Sequence, residues 1–405
     1  MPLRSIGPEM VSGASDNDPT NVGTAAVVGA QTIYRLSWVA LLVAPLLAVV
    51  LAIAARVGVV TSSDLQSLTL KRYGPRVAVL LMASVVVVNM VTIAADVQAG
   101  AAGIGLLTGI GSRWIVLPLA LILVGVLLIG RYGQVVAVLR YLLPGFLAFT
   151  AAAVLARPDW PRLLQASLVP ALSLRGDQVT GALALLGTTL TSYVYVWETV
   201  QRGVEEPRHG TPPGATRTSA GAIAGAVFTA LILWSMLVAS AATLGRHHQV
   251  VASPQDAAQA LRPLAGPLAG NLFAAGLVVS AVVALPVLMA STAYVVGAQF
   301  DWRRGLSQRV GQARRFYAVL AASAGLAVAV TLAGVPVFGM LVAASVIGGL
   351  GTPIGLVLLV RLARDPLIMG DQAISPFLAL AGWMIAVVVG GLAAVFVIAG
   401  AFGIL

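Results

Sequence analysis

The chain has no cysteine, only three histidines and very few charged residues. Without cysteine it can form no disulfide, no thiolate metal site and no cysteine redox centre. Charged residues make up 9% of the sequence, whereas soluble proteins contain about 25%. Hydrophobic residues make up 59% of the 405 residues, and the mean hydropathy is +0.97. This composition indicates an integral membrane protein with many membrane-spanning helices.

Apolar runs separated by polar residues, glycine or proline predict eleven membrane spans. A membrane helix needs about 20 residues, so eleven helices with short loops use nearly the whole chain and leave no large soluble domain. The predicted spans are 11–32, 36–58, 76–107, 114–131, 134–156, 178–203, 219–245, 267–299, 315–333, 335–361 and 377–402.

The distribution of basic residues indicates how the chain is oriented in the membrane. The net charge of +10 would suggest nucleic acid as a partner of a soluble protein, but here the basic residues lie in short loops between apolar spans. In the eleven-span arrangement, 17 of the 24 Lys and Arg residues lie on the side of the N-terminus. Because cytoplasmic loops carry an excess of Lys and Arg, we expect a cytoplasmic N-terminus and an external C-terminus. We expect the protein to lie in the inner (plasma) membrane, with the bilayer and not nucleic acid as its partner.

Two of the predicted spans carry polar interruptions at corresponding positions. The first is broken around Pro19, which cannot donate a backbone hydrogen bond and disfavours helix at the residue before it. The sixth contains the polar run 187–193. Broken helices at matching positions are typical of transporters with inverted repeats. We therefore predict an all-α, LeuT-like fold of five plus five helices and one added helix, with boundaries at 1–175, 176–365 and 366–405.

Around the first break, carboxylate and amide groups gather at the mouth of an apolar segment. Asp18 and Asn21 offer oxygen donors beside unwound backbone, which suits a cation. The alternative is that Asp18 only caps the helix that follows. Asp16 is either a functional acid at the entrance or a solvated or capping residue. Acids at membrane depth are costly and usually functional.

The second break offers hydroxyl groups and free carbonyls. Its candidates are Thr188, Thr191, Ser192 and Tyr193. As a cluster they could coordinate an ion or its waters. Alternatively, each hydroxyl bonds a carbonyl of its own helix or a neighbouring helix.

Two further acids lie in apolar surroundings. Asp96, in the third span, is a candidate for proton relay or for orienting the site, or it forms a structural hydrogen bond to a neighbouring helix. Glu198 follows the second break, where it could accept a proton or face a vestibule. No catalytic set and no nucleotide motif appears in the sequence, so we do not expect an enzyme, and no cofactor is implied.

The motif Asp-Pro-Thr-Asn at 18–21 resembles the Asp-Pro-x-Asn motif of the NRAMP family of divalent-metal transporters. The stretch 55–61 and the run ending in Ala95-Asp96 are also similar to that family. The resemblance implies that Asp18 and Asn21 bind the metal and that Thr188 supplies a backbone carbonyl.

The chain departs from the family pattern at three other positions, 99, 191 and 193. The family's metal-binding Met is matched by Thr191 and its His by Tyr193, while Asp96 matches a proton-carrying Asp but Ala99 stands where the family has Glu. A thioether is a soft ligand, so its loss leaves an all-oxygen site that accepts hard ions such as Mg²⁺. The missing Glu leaves proton coupling open.

These observations lead to one hypothesis and two rivals. The hypothesis is a secondary transporter that imports a divalent metal cation, of the Mn/Fe or the Mg type, by alternating access. Its ligands are Asp18, Asn21, Thr188 and Thr191, with Asp96, Tyr193, Glu198 and Asp16 as proton-relay or supporting residues. One rival is a sodium-coupled carrier of organic solutes with the same fold. The other is a membrane sensor that binds an ion without moving it.

Overall fold

A computed structural model describes residues 15–129, 142–171, 173, 175–205, 215–245 and 267–402. The described chain is almost entirely helical. In chain order the helices are α1 (Pro19–Thr32), α2 (Ser37–Thr61), α3 (Leu65–Tyr73), α4 (Pro75–Thr108), α5 (Ser112–Ile129), α6 (Leu147–Leu155, preceded by the 3₁₀ turn Leu143–Phe146), α7 (Trp160–Leu168), α8 (Gly176–Thr189), α9 (Ser192–Val200, continued by the π turn Gln201–Glu205), α10 (Ala215–Thr243), α11 (Pro267–Gln299), α12 (Arg314–Leu332), α13 (Val337–Arg364), α14 (Pro366–Met369, followed by the 3₁₀ turn Gly370–Gln372) and α15 (Pro376–Ala401).

The predicted spans agree closely with these helices. Within the described residues, nine helices are long and apolar enough to cross a membrane when α8 and α9 are taken together. The other two spans are the broken first one, of which α1 is the helical part, and the fifth, whose residues 134–141 lie outside the described residues. The prediction of an all-α membrane fold with broken first and sixth helices is confirmed.

Burial separates the centre of the bundle from its lipid-facing rim. The most apolar stretch of the unit formed by α8 and α9 is 94% buried, whereas that of α15 is only 22% buried. Large side chains such as Phe377 and Val387 point outward from α15. Lipid can solvate an apolar face but cannot satisfy a broken backbone, so the interrupted helix lies inside the bundle.

Three short helices that the sequence analysis did not predict lie in the connections. α3, α7 and α14 each begin at an Asp whose carboxylate caps the helix, namely Asp64, Asp159 and Asp365. Arg72 of α3 hydrogen-bonds the Asp365 carboxylate, which lowers the pKa of that carboxyl. This pair links α3 to the start of α14.

The C-terminal end of α9 is fastened to the connection between α11 and α12. Glu205 accepts hydrogen bonds from the Leu306 backbone N–H (2.9 Å) and the Ser307 hydroxyl (2.8 Å), and it also contacts the Tyr294 hydroxyl. Nearby, Arg304 pairs with Asp64 at 3.1 Å. The C-terminal end of the broken helix is therefore bound to α11 and to the connection that follows α11.

Candidate functional site

The first interruption lies immediately before α1. Ser15 is helical, residues 16–18 are not, and α1 begins at Pro19. Asp18 has extended backbone (φ −67°, ψ 165°), and its Oδ1 accepts the Asn21 N–H at 2.6 Å. Asp18 is therefore an N-cap, as the alternative interpretation expected, but the cap uses one carboxylate oxygen and leaves Oδ2 for another contact.

The second interruption separates α8 from α9 by two residues. α8 ends at Thr189, and Thr191 is extended (φ −59°, ψ 148°) before α9 begins at Ser192. The break is shorter than the predicted polar run. Its position agrees with the sixth-span prediction, and it places the N-terminus of α9 at the gap.

The two interruptions are in direct contact. The Tyr193 hydroxyl donates to the Ser15 carbonyl at 2.9 Å and lies 3.2 Å from Asp18 Oδ2. From α4, Asp96 Oδ1 accepts both the N–H (2.9 Å) and the hydroxyl (2.6 Å) of Thr20. The start of α1 is thus held by α9 on one side and by α4 on the other.

Close approach of α8 to α13 supports this junction. A Cβ built on Gly187 would lie 2.4 Å from the Gly349 nitrogen and from the Ser345 carbonyl oxygen. Only glycine fits, because backbone faces backbone at that point. The glycine run beginning at Gly348 makes this close helix contact.

Polar atoms without a partner concentrate around the two breaks. Asp16 and Asn21 are 0% exposed, and Thr188 and Thr191 are 3% and 4% exposed. Among the described residues, the buried atoms here without a hydrogen-bond partner are both oxygens of Asp16, both side-chain polar atoms of Asn17, Asn21 Oδ1, Asp96 Oδ2, Thr188 Oγ1 and Ser192 Oγ. Each unpaired buried group costs about 1–3 kcal/mol, so such a concentration is typical of a ligand site.

Three acidic side chains, those of Asp16, Asp18 and Asp96, lie near the Tyr193 hydroxyl at the junction. In the described part of the chain, the ion pairs lie elsewhere: Arg72–Asp365, Arg162–Asp159, Arg175–Asp177, Arg202–Glu198 and Arg304–Asp64. Buried carboxylates without a cationic partner are unfavourable, so the junction is suited to a positively charged guest.

Acidic side chains do not suffice to enclose a metal here. Across the described residues, no three His, Cys, Asp or Glu side chains converge closely enough to hold an ion, and His209, His247 and His248 lie outside those residues. An ion at the junction would therefore also use amide, hydroxyl or carbonyl oxygens, which are the donors that hard cations accept.

Glu198 is not among the contacts that join the breaks. Its carboxylate pairs with Arg202 one turn further along the same helical segment, at 3.2 Å, and both side chains are almost fully buried. Asp96, in contrast, is at the junction. Its hydrogen bonds with Thr20 of a neighbouring helix are of the structural kind that was the alternative to proton relay.

Sequence reasoning missed two contacts of the first break and α1: the hydrogen bond to the Ser15 carbonyl, and the contact between Thr24 and Ser345, whose hydroxyl oxygens are 2.7 Å apart. Both depend on tertiary contacts that no local pattern reports.

The fold and the junction define a class: an all-helical membrane transporter with inverted repeats and two interrupted helices that meet inside the bundle. Comparison with known families is more specific. The model of the Nramp family, described as natural resistance-associated macrophage protein-like, matches residues 9–399. The chain belongs to the Nramp family, and the expectation of a transporter in place of an enzyme is confirmed.

Curated relatives match over nearly their full length. A protein of Aeromonas hydrophila named divalent metal cation transporter MntH is 27% identical over 98% of this chain and 96% of its own length. A protein of Mycobacterium tuberculosis with the same name is 28% identical over 95% of this chain and 89% of its own length.

Solved structures agree on the fold. A mutant of the Eremococcus coleocola manganese transporter has a TM-score of 0.73 at 18% identity, covering 99% of this chain and 88% of that one. Mhp1, a nucleobase-cation-symport-1 family transporter, has a TM-score of 0.62 at 13% identity, covering 99% and 94%. At these identities the likeness concerns the fold alone.

Proposed function

We propose that this chain carries a divalent metal cation across the membrane and binds it where the two helix breaks meet. Asp18 supplies negative charge, while Asn21, Thr191 and the Thr188 carbonyl supply further oxygens. The observation that carries this proposal is the group of buried, unpartnered oxygens around a junction with no basic ion-pair partner among the described residues. The curated relatives, named divalent metal cation transporters, support the same cargo.

The donor set favours hard divalent ions. Threonine and tyrosine stand at 191 and 193, where the resembling family motif has Met and His. Oxygen ligands suit Mg²⁺ and Mn²⁺, whereas thioether and imidazole ligands favour softer transition metals. We infer that the chain carries Mg²⁺ as well as Mn²⁺ and discriminates poorly between them.

Transport by alternating access requires the junction to open to each side in turn. The candidate ligands are nearly completely buried, which corresponds to a closed state. In the proposed cycle the halves 1–175 and 176–365 rock about the site, and the pair of Arg304 with Asp64, which joins the two halves, releases. The proposed net direction is import, because a negative-inside membrane potential favours entry of a cation.

Flux measurements on the reconstituted full chain test this proposal. We expect saturable uptake of Mn²⁺ and Mg²⁺ into liposomes, with Ca²⁺ as the comparison ion. We also expect no internal acidification, because Ala99 stands where the family has a proton-carrying Glu. Binding of Mn²⁺ without any flux would favour a sensor, and sodium-driven uptake of an organic solute would favour the other rival.

A further inference from the structure

We propose that Asp16 is a second carboxylate ligand of the transported ion, so that the site presents two negative charges to a divalent cation. This inference depends on the proposed function and adds to it a residue with a defined role. Two carboxylates would favour a doubly charged over a singly charged ion.

The Asp16 side chain is buried without a hydrogen-bond partner. It is 0% exposed, and neither carboxylate oxygen has a hydrogen-bond partner. Among the buried acids that the structure describes, the others each have a partner: Asp18 bonds Asn21, Asp96 bonds Thr20, Asp64 bonds Ser67, and Glu198 pairs with Arg202. Asp16 is thus the exception within the described residues, and a ligand would remove the cost of its burial.

No hydrogen bond within the described residues compensates for the burial of the Asp16 carboxyl. The neighbouring Asn17 also has both polar side-chain atoms buried without a partner. A cation satisfies carboxylate oxygens directly, and Asn17 Oδ1 is a further unpartnered oxygen on the adjacent residue.

Asp16 lies beside the contact between the two breaks. It follows Ser15, whose carbonyl accepts a hydrogen bond from the Tyr193 hydroxyl, and its carboxyl lies near Asp18 and Tyr193. The Asn21 amide donates to the Asp16 carbonyl at 2.8 Å. That bond fixes the backbone of residue 16 against α1 and leaves Asn21 Oδ1 unpartnered. Asp16, Asp18 and Asn21 therefore form one group of oxygens on the first break.

Two carboxylates have a clear consequence for selectivity. Coulomb attraction grows with the product of the charges. Adding a second carboxylate therefore increases the attraction for a divalent ion twice as much as for Na⁺. Removing Asp16 should weaken Mn²⁺ binding strongly and Na⁺ binding less, so Na⁺ should become a better competitor.

The experiment compares Asp16→Asn with the wild-type full chain in nanodiscs, using Mn²⁺ as the probe and Na⁺ as the competitor. We expect Mn²⁺ affinity to fall by at least about tenfold and inhibition by Na⁺ to increase relative to wild type. The control is Asp177→Asn, which removes a charge from the exposed start of α8 and should leave both values unchanged.

A second variant separates charge from structure. Asp16→Glu keeps the carboxylate and should keep Na⁺ a poor competitor. If Asp16 were purely structural, its replacement would change stability without changing the ratio of Mn²⁺ to Na⁺ affinity.

Wild-type Mn²⁺ affinity in Asp16→Asn overturns this inference while the proposed function stands. If Asp16→Asn does not fold, Asp16→Glu decides: an increase in Na⁺ competition like that expected for a lost charge contradicts the assignment. A wild-type chain that binds no divalent ion overturns the proposed function itself.

Discussion

Replacing Asp18 by asparagine should reduce metal uptake into liposomes by at least about 100-fold, because it removes negative charge from a dry site where a carboxylate interacts strongly with a cation. Asparagine is as good an N-cap as aspartate, so α1 should keep its start, including the bond to the Asn21 N–H. The protein should remain folded in the membrane, with a thermal unfolding midpoint close to that of the wild type.

The matched control is Asp159→Asn. Asp159 caps α7 through the Arg162 N–H, as Asp18 caps α1, but at an exposed position. The same chemical change there should leave uptake unaffected. Normal uptake by the Asp18→Asn variant would remove Asp18 from the site, and loss of uptake with loss of folding would assign it a capping role.

Replacing Gly187 by alanine should impair both stability and transport. Its Cβ would lie 2.4 Å from backbone atoms of α13 on two sides, and backbone cannot move aside as a flexible side chain can. Overpacking of this kind costs about 1–3 kcal/mol. Because Gly187 precedes the second break by three residues, the displacement should also move Thr191, and we expect uptake to fall by more than about tenfold.

Gly391→Ala provides the comparison for Gly187→Ala. Gly391 lies in α15 with nothing within 4 Å of the Cβ position. Alanine in an open helical position stabilises by about 0.5–1 kcal/mol relative to glycine. We therefore expect unchanged uptake and an equal or higher unfolding midpoint. If Gly187→Ala behaves like Gly391→Ala, the contact between α8 and α13 is not needed for the site.

The membrane spans and both breaks could be predicted from the sequence because their causes are local. A span needs a long apolar run, and Pro19 cannot donate a backbone hydrogen bond and disfavours helix at Asp18. The short helices α3, α7 and α14 escaped prediction, since they are brief polar segments outside the apolar runs and are recognisable mainly by the Asp that caps each one.

The details of the site were less accessible, because they depend on which helices meet. The bond from Thr20 to Asp96 spans 76 residues, and that from Tyr193 to Ser15 spans 178. Pairing of Glu198 with Arg202, four residues on, could have been foreseen from helix spacing. Burial of Asp16 could not, since the sequence places it at the end of a span where solvent was an equal alternative.

In the proposed site both breaks hold the same ion. The most direct test is equilibrium Mn²⁺ binding to the purified full chain, compared among the wild type, Asp18→Asn from the first break and Thr191→Val from the second. Thr32→Val serves as the control, because its hydroxyl bonds Val28 at the far end of α1. We predict one bound ion per wild-type and control chain, with affinity reduced by a change in either break. Retention of full affinity in Thr191→Val or Asp18→Asn would contradict a site shared by the two helices.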